Sequence, residues 1–488
     1  MPTLAKILIR TLVLPFLAVL LHWTFVAKAA NSSQPNILFI CTDDQAAWAM
    51  GASGNDQALT PHMDRLASQS AYLVNSFVTT PVCSPSRAAT LTGQYGYEVG
   101  VHNWFKPDDQ TNGLDPKFTT FAETLRDAGY RTGLIGKWHL GMHDRHYPTG
   151  QGFDYFMGHR HGGFKVVDPE LEEMGEAKSY TGLTADILAD HAIGFIENHL
   201  RRNEEQPFLL CWHTRAPHLR WLPVAPEDSE PYSEDFEISI PKYPDLDTVS
   251  VTRMMREYLM STRSVDRNLG RVLGALDELN IADHTVVIYT SDHGYNMGHN
   301  GIWHKGNGKW ILNHDVPATH NVAKNNRPNM YDHSIRVPSL VRWPGVTEPG
   351  TRIIQTTSNL DWYPTLLEMA GFEQTENLNL RGRSLGPLLR RESPRNWDND
   401  MYAFYSSHEE YASQFVEEMR MLRSCQWKLV RYLRAPERDE LFNLVSDPDE
   451  TVNEIANPEY TNIVSDLHAK IIRQMTVTND PALTLLRN

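Results

Sequence analysis

An α/β fold is predicted for this chain: a large, mostly parallel sheet sandwiched by helices, followed by a small C-terminal subdomain with an antiparallel sheet and a helix. Three observations predict it. Short apolar, β-branched runs alternate with helix-period segments through the first three quarters of the 488 residues, which implies parallel strands with helices on both faces. Several runs end abruptly in charged residues, and in such sheets functional groups gather at the carboxyl ends of strands. Beyond residue 390 the helical segments give way to short strand-like runs separated by turns.

The first thirty residues precede the fold. Lys6 and Arg10 lead an apolar run from Thr11 to Leu21, and Ala27-Lys28-Ala29 supplies a small-x-small cleavage site. Residues 1–30 read as a signal peptide, too short for a membrane span and interrupted by Pro15 and His22. Export to the periplasm or the medium is expected, with no stable span after cleavage. Ile37 to Cys41 is the first strand and ends in Thr42-Asp43-Asp44. Helices are expected from Pro61 to Ser70, from near Ser86 onward, and from Thr119 to Ala128 with Gly129 as the stop. Tyr130 to Ile135 is a strand. Thr184 to Leu200 carries Ile187, Leu188, Ile193, Ile196 and Leu200 at helical spacing, and Phe208 to His213 is the next strand. A long helix follows from Thr252 to Leu279, then a buried strand from Thr285 to Thr290, marked by its β-branched content. These elements form a main domain over residues 31–390. In 391–488, the runs Met401 to Tyr405, Arg420 to Arg423, Trp427 to Tyr432 and Glu440 to Asn443 read as antiparallel strands before a helix from Thr461 to Met475.

Composition narrows the function. Hydrophobic residues make up 41% and charged residues 22%, which excludes disordered, collagen-like and coiled-coil chains. The formal charge is −15, and loss of Lys6, Arg10 and Lys28 takes it to −18. So acidic a chain is no binder of nucleic-acid backbones, and an anionic substrate must be held by a few well-placed cations. Four cysteines are too few for a disulfide framework. Cys41 and Cys211 sit in apolar runs and read as buried, whereas Cys83 lies in a polar, Pro-flanked loop that asks for chemistry.

Three strand ends carry unusual polar residues: Asp43-Asp44, Lys137-Trp138-His139, and Ser291-Asp292-His293-Gly294. Alone, Asp43-Asp44 serves equally well as a helix cap or as a ligand pair. Jointly, Asp43, Asp44, Asp292 and His293 suit an oxygen-rich site for Ca²⁺ or Mg²⁺, and no His/Cys cluster has zinc spacing. The loop Cys83-Ser84-Pro85-Ser86-Arg87, followed by Thr92-Gly93, leads into a helix whose N-terminus favours an anion. It resembles the Cys-x-Pro-x-Arg activation motif of the sulfatase family. Gly129 to His139 resembles that family's second motif. The resemblance extends through Ala216-Pro217-His218 and Tyr331 to Pro338 to the C-terminal Asp439-Glu440-Leu441-Phe442 segment. It differs in placing His293 where Asn is common, and in an insertion of about twenty residues near Asn313 to Pro328.

The resemblance implies an alkaline-phosphatase-like fold and a sulfuric ester hydrolase. It implies that Cys83 is oxidised to formylglycine by a formylglycine-generating enzyme, and that its hydrate attacks sulfur. One divalent metal, Ca²⁺ with Mg²⁺ as the alternative, would be held by Asp43, Asp44, residue 83, Asp292 and His293. Arg87, Lys137 and Lys305 would supply positive charge, with Lys309 and Lys324 as substitutes for Lys305. His218 would protonate the leaving alcohol and His139 would take the proton that lets sulfate depart. Polar, His- and aromatic-rich loops offer His102, Trp104, His161 and His408 for a sulfated small molecule or glycan. A carbohydrate sulfate is the expected substrate. The alternatives are an arylsulfatase, a phosphonate or phosphate ester hydrolase of the same superfamily, and a glycan-binding protein with a dead site.

Overall fold

A computed structural model describes residues 34–372, 378–407 and 416–486; the expected signal peptide and His408 lie outside them. Asn36–Thr42 runs parallel to Phe208–His213 on one side and Thr285–Ser291 on the other. Phe208–His213 continues in parallel to Arg131–Lys137 and then Tyr155–His159. These strands are apolar throughout because both faces are covered. Ile37, Phe39, Cys41, Leu209, Cys211, Val286 and Ile288 pack on one side, and Leu38, Ile40, Leu210, Trp212, Val287 and Tyr289 on the other. That is the two-residue period of a strand buried twice over.

The edges of this ten-stranded sheet depart from the expected pattern. Leu340–Arg342 is antiparallel to Thr285–Ser291 and to Ala71–Leu73, and the hairpin Glu170–Glu173 with Glu176–Ser179 closes the opposite side. Thr184–Arg202 and the 31-residue Thr248–Glu278 helix cover one face; Phe121–Asp127 and Trp362–Met369 cover the other.

The second sheet is antiparallel, in the order Met401–Ser407, Glu417–Arg423, Trp427–Tyr432, Glu440–Asn443. Leu467, Ile471 and Met475, four residues apart on Thr461–Val477, pack with Phe404, Leu422 and Leu429. The other face packs Met401, Tyr405 and Met421 with Phe77, Val78 and Val82, and Phe404 N–H donates to the Thr79 carbonyl. The second sheet therefore braces the loop that delivers Cys83. Both sheets belong to one compact unit, Pro35–Asn488.

Candidate active site

The polar residues that close the apolar strands meet at one edge of the large sheet. Asp43 and Asp44 follow Asn36–Thr42, Asp292 and His293 follow Thr285–Ser291, and Lys137 ends its strand two residues before His139. Asp44 and His139 have φ of 68° and 58°, a left-handed conformation uncommon outside glycine and often found at functional positions. Gly136 is required by close approach: a Cβ there would lie 1.8 Å from the His213 carbonyl oxygen.

Cys83 starts a wholly buried helix, Cys83–Thr92, earlier than the start near Ser86 expected from sequence. The preceding Val82 offers no capping side chain, so the sequence carries no ordinary start signal. Free N–H groups and the helix dipole favour negative charge at position 83. The surrounding cations act in the same sense. Lys305 Nζ is 3.1 Å from Cys83 Sγ and 2.6 Å from Asp44 Oδ1, and Lys137 Nζ is 2.6 Å from Asp43 Oδ2. Burial opposes ionisation of the thiol, but Lys137, Lys305 and His293 together hold it well below the ordinary cysteine value.

Asp43, Asp44, Cys83 and His293 bring one donor atom each to within 4.8 Å of one another. His293 Nδ1 sits 3.0 Å from the Gly294 carbonyl oxygen, which can only accept, so Nδ1 carries the proton and the Nε2 lone pair faces Asp44 Oδ1 at 3.1 Å. Two facing acceptors require a cation or a second proton between them. Asp44 Oδ2 is buried with no hydrogen-bond partner among the described residues. This donor set fits a divalent cation. Asp292 adjoins these four: its Oδ1 accepts from Asp44 N–H and lies 3.5 Å from His293 Nε2, and its Oδ2 accepts from Arg87 Nε at 3.0 Å. Arg87 is thus engaged with Asp292 and with the Lys137 carbonyl, 3.1 Å from Nη1. It positions the strand ends and does not line the cavity. Asp43, Asp44 and Asp292 balance Arg87, Lys137 and Lys305, and an ionised Cys83 adds one negative charge, so an added divalent cation would still leave the site positive toward an anion.

The two proposed proton carriers are held in different tautomers. His139 Nε2 lies 3.1 Å from the Phe105 carbonyl oxygen, so Nε2 carries the proton and the buried Nδ1 is left with a lone pair and no hydrogen-bond partner among the described residues. Burial lowers its pKa, with the Cys83 sulfur pulling the other way. His218 Nδ1 lies 2.6 Å from the Leu219 carbonyl oxygen, so its Nε2 holds a proton only as imidazolium. Burial brings His218 down to about 3, against the favourable field of Asp44.

Cys83, Trp104, Phe105, His139, His218, His304 and Lys305 line a cavity of about 200 Å³. Lys305, which precedes the insertion, reaches the site. Lys309 lies over the Trp303 ring and Lys324 pairs with Asp315. His161 lines a larger neighbouring cleft, and half-buried His102 lines neither. Sequence reasoning missed His304, whose Nδ1 is 2.7 Å from Asn307 Oδ1, and His213, whose Nδ1 is 3.2 Å from Arg87 Nη1. His304 directly precedes Lys305, which is a signal; His213 ends an apolar strand with nothing in the sequence to set it apart.

The sulfatase family model matches residues 35–372, and the model of the N-sulphoglucosamine sulphohydrolase C-terminal region matches 325–477. The N-acetylglucosamine-6-O-sulfatase of Bacteroides thetaiotaomicron is 26% identical over 94% of this chain and 89% of its own length. Human steryl-sulfatase is 28% identical over 80% of this chain and 75% of its own. The solved complex of BT4656 with its substrate D-glucosamine-2-N,6-O-disulfate superposes with a TM-score of 0.78 at 25% identity, covering 92% of this chain and 99% of that one. With a family match spanning well over half its length and a sulfatase fold beneath the site, the chain belongs to the sulfatase family and is a sulfuric ester hydrolase.

Proposed function

We propose that this enzyme removes sulfate from a sulfated carbohydrate, with residue 83 as nucleophile after oxidation to formylglycine. The placement of residue 83 carries the reading: it begins a buried helix at the floor of the cavity, 3.1 Å from Lys305 and 3.3 Å from His293. Hydrated formylglycine would supply one hydroxyl to attack sulfur and a second whose proton loss lets sulfate leave. A divalent cation, Ca²⁺ or else Mg²⁺, would be held by Asp43, Asp44, Asp292, His293 and the side chain at 83, and would supply charge neutralisation and acidify a hydroxyl there.

The protein's own groups do the remainder. Lys305, on the cavity wall, stabilises the charge that develops on the sulfate oxygens, and Lys137, buried against Asp43, adds its field from behind the lining. His218 Nε2 protonates the departing alcohol; the anionic substrate favours the imidazolium that this step needs. His139 Nδ1, with its free lone pair, receives the proton from the residue-83 hydroxyl. A carbohydrate is favoured by the pairing of aromatic Trp104 and Phe105 with polar His139, His218, His304 and Asn307 in the cavity lining, and by two relatives named for carbohydrates, the N-acetylglucosamine-6-O-sulfatase and the ulvan-active sulfatase of Formosa agariphila. Maturation by a formylglycine-generating enzyme and export of the mature chain complete the reading. Among the described residues no helix is long and apolar enough to cross a membrane.

Release of inorganic sulfate from a panel of sulfated monosaccharides, 4-nitrophenyl sulfate and phenyl phosphonate esters tests it. The sugar sulfates are expected to have the highest kcat/KM. A preference for the aryl ester would make the protein an arylsulfatase, and a preference for the phosphonates would refute sulfate specificity.

A further inference from the structure

Beside the inner cavity, and meeting it at Gly163, lies an outer cleft of about 700 Å³. It is too large for the sulfated group alone and within the range of sites that enclose whole ligands. Its two walls are the 159–170 loop and the 215–223 loop. Arg215 is buried between them and clamps both: Nε donates to the Phe164 carbonyl at 2.7 Å, and Nη1 to the His218 and Arg220 carbonyls at 2.8 and 2.9 Å. Among the described residues this guanidinium hydrogen-bonds only to carbonyl groups, so its charge is not cancelled by contact with a carboxylate. Lys165 and Arg220 are exposed on the same walls, and neither makes an ion pair among the described residues. Among the described residues the one carboxylate lining the cleft is Glu170, which is exposed. His159 stacks on Phe164 with ring centroids 5.0 Å apart, giving an aromatic wall. On a chain of net charge −15, three cations facing one carboxylate in a single concave site is a local inversion of the overall field.

Building on the proposed carbohydrate sulfatase activity, we infer that this cleft is a second anion subsite, which takes a charged sugar adjoining the one whose sulfate is cleaved. The substrate class is then a polyanionic oligosaccharide, and its second anion is a carboxylate or a further sulfate recognised by Lys165 and Arg220. Arg215 is a positioning residue that holds the walls and, through its bond to the His218 carbonyl, ties the cleft to the leaving-group histidine.

Binding, read without turnover, tests the subsite separately from the chemistry. Calorimetry on the full-length Cys83→Ala protein would use four probes: tetragalacturonate (carboxylates only), a carrageenan tetrasaccharide (sulfates only), a heparin tetrasaccharide (both) and neutral chitotetraose. Anionic probes are expected to bind more tightly than chitotetraose. Adding Lys165→Gln and Arg220→Gln should raise their Kd about fivefold, the order of two exposed ion pairs, and should flatten its dependence on salt. The first two probes tell which anion is preferred. An equal Kd with and without the two substitutions, or chitotetraose binding as tightly as the anions, would overturn the subsite. Sulfate release by the unsubstituted enzyme would stand apart from either result.

Discussion

Arg87 and Arg420 are both fully buried cations that face a buried aspartate, yet the charges around them end differently. Arg420 grips Asp480 with both forks, Nε to Oδ2 at 2.6 Å and Nη2 to Oδ1 at 2.7 Å. Tyr402 Oη and Ala482 N–H fill the remaining lone pairs of Asp480. Arg87 reaches only Oδ2 of Asp292, and beyond it Asp44 Oδ2 and His139 Nδ1 are buried with no hydrogen-bond partner among the described residues. The same residue types at the same burial thus make a closed network in the second sheet and an open one at the strand ends. Closed networks hold a structure together; leftover acceptors in a dry site are where a cation, a substrate or a proton is received.

The contrast can be broken most sharply at its open end. Cys83→Ala should lower kcat by about 10⁴- to 10⁶-fold, while the melting temperature changes little, since residue 83 sits in the open network. Arg420→Met should do the reverse. Leaving Asp480 buried without its cation is expected to cost about 3–5 kcal/mol of stability, measured by denaturant unfolding, with kcat of the folded enzyme retained. Burial pushes the Asp480 pKa up, but Arg420 and Tyr402 outweigh it and hold it below the ordinary carboxylate value. That contribution to stability is present above the unfolded pKa and is lost as pH falls through the folded one, so wild type loses it only in acid. The Arg420→Met enzyme should have lost it already at neutral pH.

His218→Ala sharpens the comparison within the open network. General acid catalysis is worth about 10²–10⁴-fold when the leaving group is a basic alkoxide. A sugar sulfate should therefore slow by that factor and 4-nitrophenyl sulfate by far less; equal losses would make His218 a sulfate-binding residue only. The smallest effect concerns pH. With burial holding His218 near 3 in the free chain, kcat/KM for the sugar sulfate should rise by up to about tenfold per unit as pH falls below neutral. His218→Ala should remove that slope.

The closed and open networks were unequally legible in the sequence. Phe208–His213 could be read to the residue because an apolar run bounded by polar residues leaves little choice of limits, and Trp427–Tyr432 and Glu440–Asn443 because turn residues flank them. The hairpin Glu170–Ser179 could not, since its polar edge strands carry no burial pattern. Asp43, Asp44, Lys137 and His293 announced themselves as charges closing apolar strands. The engagement of Arg87 with Asp292, the tautomers of His139 and His218, and the outer cleft did not. Each arises from contacts between segments far apart in sequence, such as Arg215 with Phe164.

Mass analysis of the peptide containing residue 83, from an enzyme preparation with measured sulfatase turnover, tests the central claim most directly. The account predicts a residue about 18 Da lighter than the encoded cysteine, the signature of formylglycine. An active preparation in which residue 83 is entirely an unmodified thiol would contradict it.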